Sequence, residues 1–168
     1  DMELLPTAEE HRLVGHLGPD LLDPAWSSKH AAEAVRRLSA RGAEPIAAAL
    51  LDQRVMAGLG NLYQTELCFL RGVSPWTPVR EVPDLPGMVE LAHTLLLRNA
   101  DRPQQSTTGD LRRGRENWVY GRGGRPCLRC GSRVRTAKQT ATDEEPSGLV
   151  DARTWYWCPR CQPGPAPL

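Results

Sequence analysis

Phenylalanine occurs once in these 168 residues, and all aromatics together make up 5% of the chain. Glycine and proline are plentiful by comparison, at 15 each. That balance argues against a single large β core, which needs aromatic and β-branched residues between widely spaced turns. No apolar run approaches the roughly 20 residues of a membrane span. No charged-then-apolar leader opens the sequence, so a cytoplasmic protein with no membrane partner is expected. Lysine is nearly missing too: Lys29 and Lys138 are the only two, and arginine carries the rest of the positive charge. The length suits one large domain or two small ones.

Cysteine is also scarce, with five in all, but four of them are concentrated in two pairs. Cys127-Leu-Arg-Cys130 and Cys158-Pro-Arg-Cys161 are separated by 27 residues. Two Cys-x2-Cys pairs have the spacing of a tetrahedral zinc site, each pair reaching one side of the ion from a tight turn. The competing readings are weaker. Disulfides within each pair would close tiny loops, and a redox motif needs one pair, not two. One structural Zn2+ held by Cys127, Cys130, Cys158 and Cys161 is expected, with the intervening chain returning as a hairpin. Reduced thiolates fit a reducing compartment. Cys68 stands apart within a helical pattern and reads as a buried core thiol with no ligand role.

Net charge is only +1, but it is unevenly spread. From Leu111 to Lys138 nine basic residues face Glu116 alone, whereas the chain before Leu111 is net acidic. A charge run is often no more than a solvated face. Here it adjoins the cysteine pairs and is nearly all arginine, whose planar fork suits phosphate oxygens, and nucleic acid is the favoured partner.

The first two-thirds of the chain reads as helices. Thr7 and Glu10 form a capping box for a helix to Leu17. A loop follows whose Leu21, Leu22 and Trp26 are expected to pack inward. Helices are then expected at about Ser28–Ala40, stopped by Gly42, and at Pro45–Met56, with Pro45 at the first position. Two glycines in Ala57-Gly58-Leu59-Gly60-Asn61 break that run. Asn61 is placed to cap Leu62–Leu70, with Gln64 completing a box. A helix start preceded by glycine presents free N–H groups and the positive end of the dipole, a ready phosphate site, although an ordinary helical corner has the same signature. Asp84 caps a last helix of about Leu85–Asn99. Residues 101–110 lose periodicity and read as a linker. Trp118–Arg122 reads as a short strand or its approach. Arg133–Arg135 and Thr154–Trp157 read as hairpin strands, with an acidic insertion at 136–150 between them.

Two motifs carry a resemblance. Leu50–Leu67, L-L-D-Q-R-V-M-A-G-L-G-N-L-Y-Q-T-E-L, resembles the helix-two-turn-helix signature of the formamidopyrimidine-DNA glycosylase/endonuclease VIII family. Val119–Ser132, V-Y-G-R-G-G-R-P-C-L-R-C-G-S, and Arg153–Gln162, R-T-W-Y-W-C-P-R-C-Q, resemble that family's C-terminal zinc finger. The similarity covers about Gly18–Gln162 and leans towards the endonuclease VIII side and its arginine-rich actinobacterial members. It implies that Asn61, a backbone N–H at Gly60, and Arg153 at the hairpin tip grip phosphates of damaged duplex DNA while a nucleotide is turned out of the stack. It also implies a nucleophilic N-terminal proline amine in a separate β-rich domain. This sequence opens Asp1-Met2-Glu3 with Pro6 internal, and its 27-residue spacer exceeds the usual ribbon.

The expected architecture is therefore mainly α: a linker and short helix over 1–17, a helix-two-turn-helix domain over 18–104, and a linker with a four-cysteine β-hairpin zinc finger over 105–168. The expected function is that of the DNA-binding C-terminal half of a base-excision-repair glycosylase/AP lyase. It is expected to be monomeric, to lie in the bacterial nucleoid, and to be inactive without the catalytic domain. The alternatives are a zinc-ribbon module that contacts another protein, or an RNA or single-strand binder.

Overall fold

The computed structural model describes residues 17–138 and 154–167. The helix expected at Thr7–Leu17, nearly all of the acidic insertion and Arg153 fall outside the described residues. Within them lie four α-helices, one 3-10 turn and one two-stranded sheet, so the fold is mainly helical with a small hairpin.

Helix α1 (Ser28–Ser39) starts where the pattern places it, but with an unforeseen box. Ser27 accepts from Lys29 N–H, and His30 Nδ1 accepts from Ser27 N–H at 3.1 Å. Helix α2 (Ile46–Leu51) is shorter than expected. Pro45 is its N-cap, not its first residue. The run stops at Asp52, whose carboxylate accepts from the Arg54 N–H and guanidinium and from Arg41, an arrangement that competes with helical continuation.

Helix α3 (Asn61–Arg71) is where the expected capping box fails: Gly60 is the N-cap and no side chain caps the end. Gln64 is fully buried, with its amide turned to the Cys68 sulfur. Gly72 ends the helix at φ 68°, a left-handed conformation that suits glycine. Helix α4 (Leu85–Ala100) is capped by Asp84 as expected. That carboxylate accepts from Gly87 N–H and pairs with Arg71 Nη2 at 2.8 Å, which joins the start of α4 to the end of α3.

The main core gathers Leu38, Ile46, Leu50, Val55, Met56, Leu59, Leu67 and Met88 with Leu95 and Leu96 around Leu21. Leu22 does not pack inward as expected and is 41% exposed. A second, smaller core holds Phe69, Val119 and Val134 against Cys127 and Cys158. Phe69, on the far face of α3, thus serves the cysteine unit and not the bundle.

Strands β1 (Arg135–Lys138) and β2 (Thr154–Trp157) pair antiparallel, with Arg135 opposite Trp157 and Lys138 opposite Thr154. The first strand begins two residues later than expected, because Arg133 and Val134 are taken up by the turn at 124–126. Trp118–Arg122 is not a strand. The N–H groups of Trp118, Val119 and Tyr120 turn inward to Glu66, a fully buried carboxylate on α3. Oε1 accepts from Trp118 N–H at 2.5 Å and from the Thr107 hydroxyl, and Oε2 accepts from Val119 N–H at 2.9 Å and Tyr120 N–H at 3.2 Å. Residues 101–110, read as a linker, are likewise tied down: Ser106 N–H donates to Asn99 Oδ1 and Thr107 N–H to Glu116 O.

Glu66→Gln places an amide N–H where an acceptor served buried donors. A loss of about 2 kcal/mol is expected, read as a lower urea midpoint of tryptophan fluorescence. An unchanged midpoint would show that this carboxylate is not what joins the two units.

Candidate functional site

The described part of the site is built from three segments that meet at the start of α3. The turn before it carries Gly58 at φ +105°, where a side chain would be strained, and an exposed Gly60 in extended conformation. With Gly60 as N-cap, Asn61 is the first helical residue, and its side chain is released from capping. Asn61 Nδ2 donates instead to Thr154 O at 2.8 Å, a residue 93 positions away at the start of β2. The helix N-terminus, with the positive end of its dipole, therefore faces the hairpin. Asn61, next to Gly60, is thus in contact with the hairpin. Arg153 is outside the described residues, one peptide unit from Thr154.

The cysteines form the second part. The sulfurs of Cys127, Cys130, Cys158 and Cys161 all lie within 4.8 Å of one another, with Cys127–Cys161 at 4.0 Å and Cys130–Cys158 at 3.4 Å. Sulfurs bound at about 2.3 Å to a tetrahedral ion would sit roughly 3.8 Å apart, so the set fits a metal ion. Backbone N–H groups of Arg129, Ser132 and Cys161 point at Cys127, Cys130 and Cys158 sulfurs at 3.4 to 3.5 Å, the donors a thiolate needs. Hydrogen bonds from Ser132 lower the Cys130 thiol to about 6, whereas burial raises Cys158 and Cys161. A divalent cation relieves the crowding of four such sulfurs. Cys68 is not in the cluster. It is fully buried, pushed up to about 12 by burial, and remains a core thiol as expected.

Supports for this unit come from residues that sequence reasoning missed. Gln162 is 1% exposed; its Oε1 accepts from Cys158 N–H and its Nε2 donates to Val73 O, both at 2.9 Å, a strut from the second cysteine pair to the end of α3. Arg129, between the first two cysteines, lies over the rings of Phe69 at 4.6 Å and Trp118 at 5.2 Å. The basic stretch is thus not one uniform solvated face. Arg112 and Arg115 pair with Asp110, and Arg122 is buried with its guanidinium on the carbonyls of Gly114 and Pro126. Arg113 and Arg125 line an open cleft of about 590 Å³ together with Glu116, Asn117 and Tyr120.

Among the described residues no helix is long and apolar enough to cross a membrane. A small helical bundle joined to a hairpin with a four-thiol cluster defines a helical module with a candidate metal centre. Residues 17–97 match the formamidopyrimidine-DNA glycosylase H2TH domain. The chain is 50% identical to "Probable endonuclease 8 2" of Streptomyces coelicolor, over 99% of this chain and 56% of that protein. It is 44% identical to "DNA-(apurinic or apyrimidinic site) lyase Nei2" of Mycolicibacterium smegmatis, over 96% of this chain and 58% of that protein. The crystal structure of the MutM (Fpg) protein from Thermus thermophilus superposes with a TM-score of 0.67 at 29% identity, covering 95% of this chain and 59% of that one. Over nearly its whole length the chain is similar to members of the formamidopyrimidine-DNA glycosylase/endonuclease 8 family, and it spans just over half the length of these relatives.

Titration with Co2+ is expected to give the intense visible bands of a tetrahedral thiolate site at one ion per chain, and Cys127→Ser to abolish them. Retention of those bands in Cys127→Ser would rule out the four-thiol site. Chelation is expected to unfold the hairpin while most helical signal survives, because the main core of the bundle contains none of the four sulfurs.

Proposed function

We propose that this chain is the DNA-binding C-terminal half of a base-excision-repair DNA glycosylase/AP lyase, and that it grips damaged or abasic duplex DNA by its backbone phosphates. In this reading the turn between α2 and α3 is the family's helix-two-turn-helix motif. The Gly60 N–H, the Asn61 side chain and the Arg153 guanidinium are the phosphate ligands. The observation that supports this most directly is the Asn61–Thr154 hydrogen bond, because it sets the α3 N-terminus against the hairpin residue adjacent to Arg153. Helix N-terminus and guanidinium then approach one anion from two sides.

Such contacts position a duplex without reading its sequence, which suits an enzyme that has to find a lesion in any context. The ion held by Cys127, Cys130, Cys158 and Cys161 is one structural Zn2+. Four thiolates leave no coordination position for water, so it cross-links the hairpin and takes no part in chemistry. In the intact enzyme an amine nucleophile would attack C1′ of the extruded nucleotide as the N-glycosidic bond breaks, the base leaving with the bonding electron pair and taking up a proton, and this chain would hold the bent duplex in register for it. A monomer in the bacterial nucleoid fits this role.

The test is binding of a short duplex carrying an abasic-site analogue, followed by fluorescence anisotropy across salt concentrations. Affinity is expected to fall with a log–log slope of about −0.9 per phosphate neutralised. Asn61→Ala and Arg153→Ala are each expected to weaken binding about tenfold. Salt-independent binding, or indifference to both substitutions, would overturn the reading in favour of a zinc-ribbon module that recognises protein.

A further inference from the structure

Gln53 is exposed, yet its side chain makes three hydrogen bonds across the turn that precedes α3. Nε2 donates to Leu51 O and Leu59 O, each at 3.2 Å, and Oε1 accepts from Gly58 N–H at 2.9 Å. An exposed amide satisfies itself with water, so global stability gives little reason for this arrangement. Its effect is local: it fixes Gly58 and Leu59 relative to the end of α2.

The two halves of this turn are held very differently. The half containing Gln53 is anchored from below, where Gly18 N–H donates to Gln53 O at 2.8 Å, Ala57 N–H to Pro19 O at 2.9 Å, and Arg37 Nη1 to Arg54 O at 2.8 Å. The approach is close: a Cβ on Gly18 would fall 2.3 Å from Val55 O. The half from Gly58 to Gly60 is held through the Leu59 side chain, which is buried in the main core, while Gly58 and Gly60 on either side of it are exposed. Gly58 occupies a left-handed conformation, and an added Cβ at Gly60 would meet nothing within 4 Å. The Gln53 side chain spans from the half held by backbone hydrogen bonds to the backbone of Gly58 and Leu59 in the other.

We propose that Gln53 is the positioning residue of the phosphate grip, setting the direction of the Gly60 and Asn61 N–H groups at the start of α3. This rests on the proposed phosphodiester ligand. Both amide protons of Gln53 are already committed to carbonyls, so it acts through the turn and does not itself ligate the phosphate.

The test uses the full chain and the abasic-analogue duplex. Gln53→Met keeps side-chain length and removes all three bonds; Gln53→Asn keeps the amide but is too short to span the turn. Each is expected to weaken binding about tenfold with a melting midpoint within about 2 °C of the parent. Amide exchange at Gly58–Asn61 is expected to quicken. In an Asn61→Ala background the Gln53 substitutions are expected still to weaken binding, because alanine keeps the backbone N–H groups that Gln53 directs. Unchanged affinity in both variants, or weakened binding with unchanged amide exchange at Gly58–Asn61, would overturn the positioning role while leaving the grip intact. If the parent chain itself fails to bind duplex, the grip and the positioning role fall together, even where exchange at Gly58–Asn61 quickens.

Discussion

The carboxylate of Glu66 is the constraint on which this architecture depends. It sits on an α-helix, fully buried, and gathers the N–H groups of three consecutive residues from the segment that leads into the first cysteine pair. Burial raises its pKa, opposed by the Thr107 hydroxyl and those three N–H groups. Without an acceptor at this place, Trp118, Val119 and Tyr120 would carry buried donors with no partner, at roughly 1–3 kcal/mol each. With it, they adopt a turn in place of a strand, and that turn lets Val119 and Phe69 close the small core around Cys127 and Cys158.

Around this link stands a set of side-chain amides, two of which connect parts of the chain far apart in sequence. Asn61 reaches Thr154, Gln162 reaches Val73, and Asn99 bonds both Leu95 O and Ser106 N–H. Trp76 adds edge contacts with Trp155 and Trp157 on β2. The aromatics, so few in the composition, are thus concentrated where the helical and cysteine units meet. A module with two modest cores joins them through directed polar contacts and indole rings, because neither core alone has apolar area enough to hold the other.

Much of this was legible and some was not, for physical reasons. Helices α1, α3 and α4 follow from apolar spacing with Gly42, Gly72 and Asp84 as punctuation, and the cysteine cluster follows from spacing alone. The shortening of α2 was hidden, because it depends on Asp52 being drawn to Arg41 and Arg54 in place of helical geometry. Asn61 was misread as a cap for a similar reason: its better partner is a carbonyl 93 residues away. Glu66 left no trace at all. A carboxylate whose partners are backbone N–H groups some 50 residues on has no counter-residue for a pattern to detect.

The same contacts bear on affinity. A grip assembled from residue 61 and residue 153 draws on elements separated by most of the chain, and each would lose orientational freedom on binding if the chain were loose. Here that ordering is met in advance by several independent devices. The four thiols hold the hairpin base, Gln162 ties its second cysteine pair to α3, and Asn61 fixes the start of β2 directly to the helix whose N-terminus would face the phosphate. The Asn61 side chain is shared between this structural bond and the proposed ligand. Its Nδ2 orients the amide on Thr154 O before any phosphate arrives, so the side chain and the first-turn N–H groups beside it present themselves without rearrangement. The thiol cluster and the carboxylate therefore serve one end, which is to tie distant pieces of chain together.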